Sequence, residues 1–317
     1  MLPKVGLRLQ GLSMAAFSMK YVARLWREEG PFDLIDAHYV YPDGYAALRI
    51  AKRLNVPVVV SARGTDINLY PDIEGIGVRI RETLEGANEV VGVSQALVER
   101  MVQLGASREH CWMIPNGVDL ERFAHNSESQ SQPNGRLLLA VGNLVPEKGF
   151  DQLVRAFADV ARNQEDLTLA IIGEGPQRGF LEELAGSLEV KSRVSLLGAI
   201  PHEEIHKHYH PAALFCLSSQ REGCPNVVLE ALASGVPVVS TPVGGVPEMV
   251  QDGTNGLLVA DFSVAELASG IRRGLAGSWD RSVIRSTVSN RSWGTVADRL
   301  QKVFLSACGG DAALHPD

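Results

Sequence analysis

Nowhere in the 317 residues is there an unbroken apolar run of the ~18 residues that a membrane-spanning helix needs. Nor do Lys4 and Arg8 lead into the continuous apolar segment of a secretory signal. These absences point to a cytoplasmic chain that touches a membrane, if at all, from the inner face. A basic excess is also missing: the net charge is −7, which argues against nucleic acid as a partner. Cysteine is scarce. Cys111, Cys216, Cys224 and Cys308 lie far apart with no C-x-x-C pair, so zinc and dithiol chemistry are not expected and free, reduced thiols are. The phosphate-loop pattern GxxxxGK[ST] and internal repeats are absent as well.

What is present is ample apolar material, 45% of the residues, enough for two medium cores. Short apolar runs, many of them β-branched, recur: DLIDAH (33–38), VPVVVS (56–61), EVVGVS (89–94), RLLLAVG (136–142), LTLAIIG (167–173), RVSLLG (193–198), ALFCLS (213–218) and VPVVST (236–241). Strands apolar on both faces belong to parallel sheets covered by helices on each side. Between them lie helical patterns such as FDQLVRAFADVARN, with Leu153, Phe157 and Val160 at i, i+4, i+7. Alternating order of this kind predicts an α/β, doubly wound architecture. The polar stretch 125–135 (HNSESQSQPNG) is the natural boundary. We expect domains at 1–132 and 133–292, with the C-terminal helix 293–317 rejoining the first.

The most informative segment is 221–248, REGCPNVVLEALASGVPVVSTPVGGVPE. Pro225 and Asn226 open a predicted helix that runs through Val227 to Ala233 and stops at Gly235. A helix N-terminus offers unsatisfied N–H donors and a positive dipole, which suits a diphosphate. Glu222 lies just outside that helix and Glu230 a little over one turn inside it. Taken alone, these acids read equally well as a solvated loop glutamate and an exposed helical one.

Together with AHYVYPDGYAA, GTDIN, VVGVSQALVERM, IPNGVDLERF, VGNLVPEKGFD, IIGEGP, LLGAIPHEEI and PVGGVPEMVQDGTNGLLV, in that order, the Glu-x7-Glu segment resembles the retaining glycosyltransferases of family 4. Within that family the similarity is nearest to enzymes of bacterial surface polysaccharides, of the teichuronic acid type. The resemblance implies a GT-B fold, two Rossmann-like domains facing across a cleft, and transfer of a sugar from a nucleotide diphosphate-sugar to a polysaccharide or lipid-linked acceptor. It implies that Glu222 contacts the donor sugar, Glu230 the ribose and Lys148 the diphosphate. It places His38 near the transferred sugar and acceptor, and Gly198 near the base. Asn143, Gly223, Cys224, Pro225, Asn226 and Val227 would line the donor site, and Gly244 and Gly245 the cleft floor. No Asp-x-Asp motif is present, so a lysine and a helix N-terminus would stabilise the departing diphosphate without a metal or other cofactor. The leaving oxygen itself would serve as base for the incoming hydroxyl, giving retention.

Two departures stand out. Asn143 occupies a position where many family members carry arginine, and Arg221 is the candidate to compensate. Family members also open with a βαβ unit and glycine-rich loop, whereas here the first expected strand is DLIDAH. The expectation is a first domain lacking its opening unit. That leaves a catalytically inactive nucleotide-sugar-binding fragment as the alternative, with an epimerase or phosphorylase on the same fold behind it. His202, His206, His208 and His210 in PHEEIHKHYH have metal-like spacing but are read as a polar surface helix. GEGP at 173–176 is read as a strand-to-helix turn rather than a dinucleotide fingerprint. Met14 to Trp26, with Lys20, Arg24 and Arg27, could lie on an anionic membrane.

Overall fold

The computed structural model describes residues 4–124 and 136–310, so the polar stretch 125–135 lies outside the described residues. Two compact units result, Met1–Asn116 with Gly294–Asp317, and Gly117–Trp293. Residues just after Asn116 side with the second unit because Val118 donates its N–H to the Arg291 carbonyl (2.8 Å) and Phe123 is wholly buried in that unit's core.

The first unit holds a parallel four-stranded sheet in the order β1 (Ile35–His38), β2 (Val58–Ala62), β3 (Glu89–Gly92), β4 (Cys111–Met113). Val59, Val91, Trp112 and Ile114 on one face pack against Val296 and Val303 of the helix Trp293–Ala307. Glu89, itself buried, fastens that helix: its two carboxylate oxygens accept from Trp112 Nε1 at 2.7 Å and from Ser306 Oγ at 2.8 Å. The N-terminal helix Lys4–Glu29 absorbs the whole 14–26 segment and leaves Phe17 and Tyr21 exposed. Among the described residues no helix is long and apolar enough to cross a membrane.

The second unit is a parallel six-stranded sheet: β5 (Arg136–Val141), β6 (Leu167–Ile172), β7 (Val194–Gly198), β8 (Ala212–Leu217), β9 (Val238–Ser240) and β10 (Gly256–Leu258), ordered β10-β9-β8-β5-β6-β7. Alternation along the strands feeds two cores. Leu138, Leu169, Ile171, Leu214 and Cys216 face the helices Phe150–Ala161 and Val264–Ala276, while Leu139, Ile172, Phe215 and Leu217 face the helix Asn226–Ala233 with Tyr209 and Phe123. Each fully buried Leu, Ile or Phe stabilises the fold by about 1.5–3 kcal/mol relative to exposure. Such two-sided burial is what continuous apolar runs require, and it makes the unit doubly wound.

The chain runs outward from β5 to β7 and then returns to β8 on the other side of β5. The helices that follow β5 and β8 therefore lie on opposite faces, and the loops that lead to them adjoin at the carboxyl ends of the strands, the switch point whose crevice is where open α/β sheets bind ligands.

Candidate donor site

Lys148 and Glu222 come from those two loops. Lys148 closes the short turn Pro146–Lys148 after β5, one residue ahead of the helix that Gly149 caps. Gly149 takes φ +63°, and a Cβ there would stand 2.3 Å from the Ser218 carbonyl oxygen, so only glycine permits this approach. Two more bonds join the loops: Ser218 Oγ donates to the Lys148 carbonyl (2.9 Å), and the Gln220 N–H to the Glu147 carbonyl (2.9 Å). Across this seam Lys148 Nζ meets Glu222 Oε1 at 2.6 Å, with the Glu222 side chain only 10% exposed and that of Lys148 27%. The pairing spans 74 residues of chain.

Glu222 is held from behind by the glycine turn. Gly245 donates its N–H to the Gly223 carbonyl (2.7 Å). Gly244, at φ +54°, lies so near that an added Cβ would be 2.2 Å from the Glu222 carbonyl oxygen. Gly244 and Gly245 thus set the height of the Glu222–Gly223 backbone. Half-buried Cys224 rests its sulfur 3.9 Å from that of Met249, and buried Pro225 precedes the eight-residue helix Asn226–Ala233. Asn226 is exposed at its first position, and Val227 packs on the core below.

Glu230 is not the exposed helical acid that its spacing alone allows. It is 6% exposed and anchored through both oxygens: Tyr209 Oη donates to Oε2 at 2.8 Å, and His202 Nε2 lies 3.2 Å from Oε1. Tyr209 is fully buried, and its phenol is pushed well above the usual value, first by burial and then by the neighbouring carboxylate. It stays protonated and donates.

The histidine group is a correction. The helix there is His206–Tyr209 alone, so His202 precedes it and the two do not share a helical face. The stretch is nonetheless a polar surface, with the His202 side chain 60% exposed and Glu203, Glu204 and Lys207 exposed, while the His202 and His206 rings lie 6.1 and 6.5 Å from that of buried Phe123, edge to face. Among the described residues no three His, Cys, Asp or Glu side chains converge as metal ligands would.

Gly198 ends β7 at φ +79°, its carbonyl accepting from Gly173 N at 2.9 Å. Gly173 and Gly175 form the turn from β6 to the helix Arg178–Ser187, as GEGP suggests. Asn143 is exposed in the turn after β5, as is Arg221 in the loop after β8.

His38 belongs to the first unit, at the carboxyl end of β1. The Arg63 guanidinium donates to its Nδ1, which leaves the proton on Nε2, 3.2 Å from Asp36 Oδ2. Beside it stands a residue that the sequence did not single out beyond its place in GTDIN. Asp66, wholly buried, accepts from Val40 N (2.7 Å) through one oxygen and from Arg63 N (3.1 Å) and Gly64 N (2.9 Å) through the other. It ties the loops after β1 and β2 together. Burial raises its carboxyl above the ordinary range despite those donors.

All four cysteines are free thiols. Burial pushes Cys216 up to about 12 and Cys111 to about 11, far from nucleophilic thiolate behaviour.

A cation and a carboxylate thus meet at the carboxyl ends of a parallel sheet, with a second, deeply seated carboxylate on the adjoining helix. The chain belongs to the group 1 glycosyl transferases, whose family model matches residues 121–287; the model for glycosyltransferase family 4 matches residues 3–122. It is 32% identical over 250 residues to the glycosyltransferase TuaC of Bacillus subtilis, a protein assigned to teichuronic acid biosynthesis, covering 76% of this chain and 61% of that one. It is 30% identical over 297 residues to the D-inositol 3-phosphate glycosyltransferase of Frankia alni, covering 86% of this chain and 72% of the relative. The chain thus spans about three fifths of TuaC's length. In fold it is similar to the Anabaena protein Alr3699/HepE, solved in complex with UDP, with a TM-score of 0.79 at 20% identity over 91% of this chain and 82% of that one.

Proposed function

We propose that this chain transfers a sugar from a nucleoside diphosphate-sugar to a glycan or lipid-linked acceptor, with retention of configuration and without a metal ion. The observation that carries the reading is the Lys148–Glu222 pair, at 2.6 Å, over the crevice between β5 and β8. Breaking a sugar–phosphate bond builds negative charge on the departing diphosphate, and preorganised cations and N–H groups lower that barrier most. Lys148 supplies the cation. The N-terminus of the helix Asn226–Ala233, with Gly223, Cys224 and Pro225 leading into it, supplies amides and a positive dipole end.

Glu222 receives the sugar hydroxyls and Glu230 the ribose pair, each being an acceptor-only group when ionised. Gly198 lies on the base side, and His38 of the first unit acts toward the acceptor. The name of TuaC supports a surface-polysaccharide acceptor, and the UDP in the Anabaena structure supports a uridine donor. The reading places the chain in the cytoplasm, peripheral at the membrane, where exposed Phe17 and Tyr21 beside Lys20 support contact with lipid.

The test is transfer itself: the full chain, excess chelator, a panel of nucleotide-hexoses, and NMR of the product's anomeric proton. Transfer with retained configuration under chelator is expected. Inverted product, or turnover only on adding a divalent ion, would overturn the mechanism. A folded chain that binds donor yet transfers nothing to any acceptor would favour the inactive binding form.

A further inference from the structure

Resting on that reading, we infer that Glu222 also discriminates between intact donor and spent nucleotide, by competing with the terminal phosphate for Lys148. The carboxylate is 90% covered, and Lys148 Nζ at 2.6 Å is its charged partner. A carboxylate so placed demands compensation, and removing its partner is costly. In the empty site Lys148 provides it.

Entry of a nucleoside diphosphate-sugar draws the ammonium toward the diphosphate, while the sugar hydroxyls arrive to donate to Glu222 in its place. Free nucleoside diphosphate draws the ammonium just as strongly but brings no hydroxyls. It brings more charge as well. Transfer breaks the anomeric C–O bond and leaves its electron pair on the β-phosphate oxygen; the acceptor oxygen forms the new bond and its proton passes to that phosphate oxygen, from which it exchanges into water. The terminal phosphate then approaches two negative charges near neutral pH, as phosphate monoesters do with a second pKa of about 6. Even if Lys148 bridges both anions with its three N–H groups, the spent nucleotide sets a near-dianion beside a poorly solvated carboxylate. Gly244 and Gly245 fix the Glu222–Gly223 backbone, so Glu222 has little room to withdraw. The pair therefore re-forms as product leaves, and release is favoured over rebinding.

The experiment is calorimetric titration of the full chain with whichever of UDP, GDP and ADP binds, and with the hexose ester of that nucleotide, for wild type, Glu222→Gln, Lys148→Ala and the double variant. Glu222→Gln removes the charge and keeps the volume. Glu222→Ala, with its melting curve, serves the same purpose should the amide variant not fold. The free diphosphate is expected to bind the Gln variant about tenfold more tightly, the size of one partly screened charge interaction. The hexose ester should bind it no better than wild type, and the gain should vanish in the Lys148→Ala background. If Lys148→Ala weakens the diphosphate but Glu222→Gln leaves it unchanged or weaker, the donor-site reading stands and the discrimination is wrong. A gain that persists without Lys148 also overturns it. If neither wild type nor Glu222→Gln binds any nucleotide, the donor-site reading falls and this inference with it.

Discussion

Tyr209→Phe isolates the support beneath Glu230. The substitution keeps the ring, its place beside Phe123 at a centroid distance of 5.7 Å and its contact with Phe215, and deletes one oxygen. That oxygen donates to Glu230 Oε2 at 2.8 Å and also lies 3.3 Å from the Val227 carbonyl. Its loss leaves a carboxylate oxygen that is 8% exposed as a side chain without the donor that holds it. An unsatisfied buried group costs about 1–3 kcal/mol, and a charged one falls in the upper part of that range. We therefore expect the second unit to lose about 2–3 kcal/mol in urea unfolding. Glu230 should then lose its anchored pose, and on the proposed ribose contact nucleotide binding should weaken by about tenfold, or roughly 1.4 kcal/mol. Both changes are measurable on one preparation, by fluorescence during urea titration and by calorimetry. A Phe variant equal to wild type in stability and affinity would refute the assignment of Tyr209 as the residue that positions Glu230.

Lys148→Ala should lower the transfer rate by about a hundredfold to a thousandfold, as loss of one preorganised charge-stabilising donor does, and should also lower the melting temperature because the covered Glu222 carboxylate loses its charged partner; steady-state kinetics and a melting curve decide. Gly244→Ala drives a Cβ to 2.2 Å from the Glu222 carbonyl oxygen, so the Glu222–Gly223 segment must shift and donor affinity should fall while Lys148 itself is untouched, which titration with a nucleotide-hexose reports. Asp66 has a folded pKa raised by burial, so its contribution to stability is full below the ordinary carboxylate value and is lost as pH rises through the raised one. Urea unfolding of the first unit at several values between about pH 4 and pH 7 should show that slope. Asp66→Asn should flatten it at a cost of about 1–3 kcal/mol, since an amide cannot accept from Val40, Arg63 and Gly64 together.

Among the described residues eight of the ten strands were legible because two-sided burial demands continuous apolar runs, and such runs are visible in one dimension. The two that escaped, Cys111–Met113 and Gly256–Leu258, are only three residues long. Glu222, Glu230 and Lys148 are singled out by the family's spacing, and the fold brings Lys148 against Glu222. What they rest on was not legible. Tyr209 meets Glu230 across 21 residues and Lys148 meets Glu222 across 74, contacts created by β8 returning beside β5, which chain order does not reveal. One turn is misread for the same reason: i, i+4 spacing suggests one helix for His202 and His206, but the helix begins at His206 and the two rings reach Phe123, distant in sequence, from different turns. The resemblance puts Gly244 on the cleft floor, but the clearance it gives beneath Glu222, a neighbour fixed only by folding, is not visible in the sequence.

The most direct measurement is calorimetric titration of the full chain with UDP, GDP and ADP in excess chelator, beside Lys148→Ala and Glu230→Ala. The predicted result is saturable binding of one nucleotide, weakened by each substitution and insensitive to chelator. A folded chain that binds none of the three, or binds one equally well without Lys148 and Glu230, would contradict the donor site described above.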